Sequence, residues 1–251
     1  MTIKNFKISI VTVVKNSEKT IEKTIKSLID QTYKNYQYIV IDGGSTDNTV
    51  NILESYKAKI DILIYGKDDG IWDAMNKSLS YVNGDIVGFL NSDDYYYNGA
   101  LECVNKYFNN HSINFLFGSV KKYKLMHGFK PSIIDWSFGF YTSHSIGFFI
   151  KTDDHKKIGF YNKKYLSADL DFFYKMIKKY KMNGMSSLKG EIFGKFGSGG
   201  FSSKVNYIDH LIDLNKIRID NNQNVFFVNI LFLIKIIKKP LKFLKALFLK
   251  K

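Results

Sequence analysis

The chain has 251 residues, 45% of them apolar, and carries 37 basic against 23 acidic side chains, a formal charge of +14. That apolar content, with only two prolines, excludes a disordered or linker-rich protein. A single cysteine, Cys103, excludes a disulfide scaffold and a cysteine-ligated zinc site.

Residues 8–14 are a β-branched run suited to a buried strand. Asn16-Ser17 is placed to cap a helix carrying Ile21, Ile25, Leu28 and Ile29 at helical spacing. A second strand over 36–41 ends at Asp42-Gly43-Gly44-Ser45, and Ser45 or Thr46 is placed to cap a helix with Val50, Leu53 and Tyr56. A third strand over 61–65 precedes a helix through Ala74, Met75, Leu79 and Val82; a fourth over 85–90 stops at Asn91-Ser92-Asp93-Asp94. Further on, a helix runs through Ala100, Val104 and Phe108, and strands are expected near 114–120, 122–129 and 141–150. Ser167 is placed to cap a helix through Leu170, Phe173, Ile177 and Tyr180. A Gly/Ser-rich segment covers 191–203 and a helix covers 205–219.

This β-α alternation implies a mostly parallel sheet covered by helices on both faces. Ligands of such sheets bind at the carboxyl ends of the strands, where the polar clusters sit. No GxGxxG follows the first strand, which disfavours a dinucleotide cofactor. Acids at successive strand ends suit a divalent cation holding a phosphorylated ligand, since Mg²⁺ and Mn²⁺ take oxygen ligands. Read alone, Asp93-Asp94 is better taken as a solvated turn acid or a cap of the helix over 98–109.

Five stretches together are more specific: residues 10–16, 31–33, 41–49, 69–77 and 84–94. In order and spacing they resemble the family-2 glycosyltransferases of the GT-A fold, most closely bacterial enzymes that build surface polysaccharides. The resemblance covers roughly residues 7–203. It implies a catalytic domain over 1–204, with a nucleotide-sugar half to about residue 95 and an acceptor half beyond it. It implies that Asp42, Asp68, Asn76, Asn91, Ser92, Asp93 and Asp94 serve the nucleotide-sugar donor, with Asp93 as the ligand of Mn²⁺ or Mg²⁺ in a DxD-like motif. Asn91 replaces the first Asp of that motif; an amide there is still able to hydrogen-bond a ribose hydroxyl. Asp169 matches the family's catalytic base, with Ala168 where many members have Glu. The other reading of Asp169 is a first-turn helix acid. His144 is either a structural histidine or a group near the acceptor or leaving group. Gly200 and Ser202 either close over the diphosphate or form an ordinary turn. Trp72 and Trp136 are expected to pack, and Cys103 to be a small core residue.

The implied reaction is inverting transfer from a nucleotide-diphosphate sugar, in first place a UDP-sugar, to a glycan or a polyprenyl-diphosphate-linked acceptor. Two alternatives stand beside it. A sugar nucleotidyltransferase would carry a Gly-rich loop after the first strand, where this chain has Lys15-Asn16-Ser17-Glu18. The other is a non-catalytic scaffold on a degenerate domain. The 36 lysines against one arginine, Arg218, are consistent with AT-rich coding, and so little arginine argues against base-specific nucleic-acid recognition. No signal-peptide pattern or apolar run of about 18 residues appears, so a cytoplasmic protein is expected.

Half of the positive excess lies in residues 235–251, which hold seven lysines and no acid. Lys235, Lys238, Lys239, Lys242 and Lys245 are spaced to share one helical face, and Ile237, Leu241, Leu244 and Phe248 another, with a break at Pro240. Residues 205–251 therefore read as a basic amphipathic segment that meets an anionic membrane surface through 225–251, on the inner face of the plasma membrane; the other reading is a helix packed on the domain with a solvated lysine face.

Overall fold

The computed structural model describes residues 4–141, 145–197, 200 and 205–248. Its main sheet has seven strands. β1 (Ile8–Val14) is buried along its whole length and is flanked in parallel by β2 (Tyr36–Asp42) and β4 (Ile86–Phe89). β3 (Ile62–Tyr65) extends the parallel set beyond β2. On the other side β9 (Phe148–Lys151) runs antiparallel between β4 and β6 (Phe115–Phe117), and β10 (Gly184–Ser186) closes the edge. The buried β-branched and aromatic residues of these strands suit a sheet covered on both faces. Helices α1 (Ile21–Ile29), α2 (Thr49–Ser55), α3 (Ile71–Ser78) and α4 (Ala100–Asn110) follow β1, β2, β3 and β5 (Tyr95–Tyr96).

A second, four-stranded sheet has the order β5, β11 (Ile192–Lys195), β7 (Ser119–Lys121), β8 (Leu125–Met126). It was not foreseen: β11 lies in the segment read as Gly/Ser-rich loop, and the strand expected over 122–129 shrinks to the two residues of β8. The strand expected from residue 141 begins only at Phe148, because Ser145–Gly147 form a 3-10 turn; residues 142–144 lie outside the described set. α5 (Thr152–Ile158) follows β9, and α6 (Ala168–Tyr174) continues as a π-helical turn over Lys175–Lys179.

None of the three expected side-chain caps forms. α1 starts at Ile21, and the Ser17 carbonyl, not its hydroxyl, accepts the Thr20 and Ile21 N–H groups. At α2 the Asp47 carboxylate receives the Thr49 N–H at 3.0 Å, because Ser45 and Thr46 are engaged elsewhere. Ser167 makes no cap bond to α6.

α7 (Tyr207–Asp220), α8 (Val225–Lys238) and α9 (Pro240–Phe248) complete the chain. Arg218 on α7 is buried, with its Nη1 donating to the Asp135 carbonyl at 2.8 Å and to Gln223 Oε1 at 2.6 Å. The break at Pro240 yields two short helices, as expected. Lys235, however, does not share the exposed lysine face: it is turned inward and half-buried, and burial lowers its pKa to about 8. Trp136, expected to pack, is 62% exposed and meets Phe227 edge-on.

Candidate active site

The ends of β1 and β4, with the loop after β3, open into a cleft of about 860 Å³ lined by Lys15, Asn16, Asp47, Asp68, Asn91, Ser92, Asp93, Asp169 and Gly200 among others. This is where a parallel sheet presents its loop backbones and helix starts to a ligand. The rim is cross-linked by its own side chains and backbone. Asn16, held at φ 50°, accepts the Thr46 N–H on its Oδ1 at 2.8 Å and donates its own N–H to Ser45 Oγ at 2.8 Å. The Ser17 N–H reaches Thr49 Oγ1 at 2.8 Å, and the Asn48 N–H reaches Glu18 Oε2 at 3.0 Å.

The loop carrying Asp93 is held from α1. Thr24 Oγ1 donates to the Ser92 carbonyl at 3.0 Å and the Asp94 carbonyl at 2.7 Å, and the Ser92 and Ser17 hydroxyls are hydrogen-bonded at 2.9 Å. Gln31, in the Gln31-Thr32-Tyr33 stretch, is buried and ties the Tyr97 carbonyl to the Leu101 N–H. That stretch is a brace and touches no part of the cleft lining.

Burial raises Asp93 above the ordinary carboxylate range, offset in part by N–H groups, including that of Gly200, and by Lys122. Gly197 and Gly200 lie directly over it: a Cβ at Gly197 would stand 2.3 Å from the Asp93 carbonyl oxygen. Asp94 is fully buried and lies outside the cleft lining. Its Oδ1 accepts the Gly197 N–H at 2.8 Å, and burial, then Asp93, push its pKa well above the usual range. Asn91 donates to Ser145 Oγ at 2.8 Å, while its Oδ1 is buried without a partner.

Among the described residues no three His, Cys, Asp or Glu side chains cluster as a cation site. The donors on this loop are oxygens: the Asp93 carboxylate and the orphaned Asn91 Oδ1. One carboxylate with neutral oxygen donors fits Mg²⁺ or Mn²⁺, which complete their shells with water and substrate phosphate.

Asp169 sits in the first turn of α6 and faces the cleft beside Tyr161 and Phe173. Burial, above all, raises its pKa to about 6; two backbone N–H groups and the Tyr141 hydroxyl, at 3.5 Å, pull the other way. Its neighbour Asp171 is a structural acid, bonded to Lys175 at 2.6 Å and to Asn221 at 2.8 Å.

Asp68 lines the cleft and caps the Gly70 N–H at 3.0 Å. Its carboxylate lies where a side chain on Gly43 would be, only 2.0 Å from that Cβ position, so any larger residue at 43 would displace the Asp68 carboxylate. Asp42 and Asn76 are not brought to the cleft lining. Asp42 is buried and its oxygens accept from the Gly44 and Ser45 N–H groups and the Ser45 hydroxyl. Asn76 clasps the backbone of Tyr161 with both ends of its amide, at 2.8 Å each, and so positions a residue that does line the cleft. His144 and Ser202 lie outside the described residues.

Sequence reasoning missed Asp213 on α7. This buried carboxylate accepts the Leu166 and Ser167 N–H groups at 3.0 and 2.7 Å, fixing the turn that leads into Asp169. Its charge also helps to raise the pKa of Asp169. A lone acid on a helix outside every motif gives no local signal of such a partner.

A family model described as glycosyl transferase family 2 matches residues 9–182. WfgD of Escherichia coli, named as a UDP-Glc:alpha-D-GlcNAc-diphosphoundecaprenol beta-1,3-glucosyltransferase, is 33% identical over 116 residues, 46% of either chain. TuaG of Bacillus subtilis, a putative teichuronic acid biosynthesis glycosyltransferase, is 34% identical over 98 residues, 38% of this chain and 39% of its own. The matches thus span less than half the length of these relatives. The crystal structure of S. aureus TarS 1–349 in complex with UDP-GlcNAc aligns with a TM-score of 0.68 at 20% identity, covering 90% of this chain and 70% of that one. A mannosyltransferase of Pyrobaculum calidifontis, in complex with GDP-Man and Mn²⁺, aligns at 0.67 and 13% identity, covering 87% and 65%. These structures share the fold, and the family model spans more than half of the sequence: the chain belongs to glycosyl transferase family 2, with a GT-A fold.

Proposed function

We propose that the protein is an inverting glycosyltransferase that moves a sugar from a UDP-sugar to a lipid-linked or glycan acceptor in bacterial surface-polysaccharide synthesis. The observation that carries this reading is a carboxylate with a pKa of about 6, Asp169, lining the same cleft as Asp93. Asp169 takes the proton of the acceptor hydroxyl. That oxygen forms a bond to the anomeric carbon as the bond from this carbon to the diphosphate oxygen breaks, and the nucleoside diphosphate leaves with the electron pair. A single displacement inverts the anomeric centre and needs no covalent intermediate, so no Ser or Cys nucleophile is called for. A divalent cation held by Asp93 would supply charge neutralisation for the diphosphate.

The choice of UDP and of a lipid-linked acceptor rests on the names of WfgD and of the TarS complex. A nucleotidyltransferase loses ground because the loop after β1 has no glycine to wrap a triphosphate. The reading carries a cytoplasmic placement with it, as expected for an enzyme that consumes nucleotide sugars.

The test is a panel of nucleotide sugars, with and without Mn²⁺, read by thermal shift and then by transfer. Asp169→Asn is expected to lower transfer by about 10²–10⁴-fold while leaving donor binding intact. Near-normal transfer by this variant would remove Asp169 as base, and a panel with no stabilising UDP-sugar would remove the donor assignment.

A further inference from the structure

α8 and α9 cover α7 with a narrow inward face, on which Val228 and Ala246 are buried. The opposite face is apolar as well. Phe226, Ile230, Leu233 and Ile237 follow one another at the spacing of a single helical stripe, and all four are exposed. Leu241, Leu244 and Phe248 continue the exposed apolar surface on α9. Phe226, Ile237, Leu241 and Phe248 are each 74–81% exposed. The polarity of the pair is inverted relative to a helix on a water-facing surface, since Lys235, the first lysine of α8, points inward from its last turn while the apolar stripe is exposed. A contiguous apolar surface of this kind marks an interaction site.

Charge selects the occupant. Lys238, Lys239, Lys242 and Lys245 are exposed around the stripe, and residues 225–251 contain no acid. A second copy seated on this surface would bring lysine against lysine. An anionic bilayer neutralises the lysines at headgroup level while its acyl boundary takes up the stripe. Spanning is excluded by size: the 14 residues of α8 extend about 21 Å, against a hydrocarbon core of about 30 Å. Among the described residues no helix is long and apolar enough to cross a membrane.

We infer that α8 and α9 form a monotopic docking surface that lies in the interface of an anionic lipid bilayer, with the Phe226–Ile237 stripe immersed and the four lysines at the headgroups. This inference stands apart from the chemistry of the cleft, and its test reads binding alone. The 251-residue chain is floated with vesicles of phosphatidylglycerol mixed with phosphatidylcholine, and with vesicles of phosphatidylcholine only. Recovery with the anionic vesicles is expected to exceed recovery with the neutral ones by at least about tenfold and to fall as salt rises. Ile237→Asp combined with Leu241→Asp, both on exposed positions, is expected to abolish flotation without changing the melting temperature. Absence from both vesicle types, or equal recovery with both, overturns the inference. So does a dimer in light scattering that the double variant converts to monomer, which would assign the surface to a second copy.

Discussion

Asp169 is a carboxylate whose fold-imposed burial is useful to chemistry and unfavourable to stability. With a pKa of about 6, it is largely ionised at neutral pH yet far more basic than a solvated acid. The kcat/KM profile should therefore show an acid limb with an apparent pKa near 6, flat above it. The sign for folding is opposite. Because the folded pKa is raised, the native state holds this proton more tightly than the unfolded chain, and stability through this group falls as pH rises from about 4 to 6. Asp169→Asn is expected to raise stability at pH 7 by about 1–3 kcal/mol and to change it little at pH 4, as read by chemical denaturation at both pH values. The position of Asp169 was legible from its motif; its pKa was not, because that depends on Tyr141, Tyr161 and Phe173 closing around it from other segments. Asp42 and Asn76 show the reverse case. The family resemblance marked them for the donor, while the fold engages both side chains with backbone groups.

At the level of elements, the strands following β-branched runs were legible because burial on both faces leaves an unbroken apolar signature, as in β1 and β2. The caps were not. Asn16, Ser45 and Thr46 carry the right groups, but the fold brings their loops side by side, and each reaches across instead of down its own helix. α7 illustrates a longer reach, since Asp213 organises the entry to α6 from another part of the chain. Asp213→Asn replaces one acceptor oxygen by an amide that faces N–H donors and removes a negative charge beside Asp169. Expected outcomes are a stability loss of about 1–3 kcal/mol and a downward move of the acid limb in the kcat/KM profile. A purely structural role would lower stability and leave the limb in place, which a pH series on the purified variant distinguishes.

For the molecule as a whole, the mixed sheet and the two-part tail follow from patterns that run over many residues, and those patterns were legible. The small second sheet was not, because β5, β7, β8 and β11 are two to four residues each and β11 joins β5 and β7 over long sequence separations. Against the main sheet, His155 is buried among Phe89, Tyr161 and Phe172, with Nε2 unpartnered. Burial lowers its pKa to about 4. A histidine with a depressed folded pKa withdraws stability as pH falls from about 6.5 to 4, because the unfolded chain binds the proton first. His155→Phe is expected to flatten the loss of stability between pH 7 and pH 5, measured as the difference in urea midpoints. This effect opposes that of Asp169 over the same range, so single and double substitutions at the two sites separate them.

The links across the rim of the cleft have a consequence for how the protein breathes. The amides of Asn16, Ser17, Thr46, Asn48 and Thr49 belong to turns and helix starts, where N–H groups normally meet water, yet each donates to a side chain. In hydrogen–deuterium exchange these five positions should be protected, the first four at a level set by joint opening of both loops and Thr49 at a level set by its own turn. A donor that enters such a mouth finds it already assembled, and its arrival should slow exchange there only slightly.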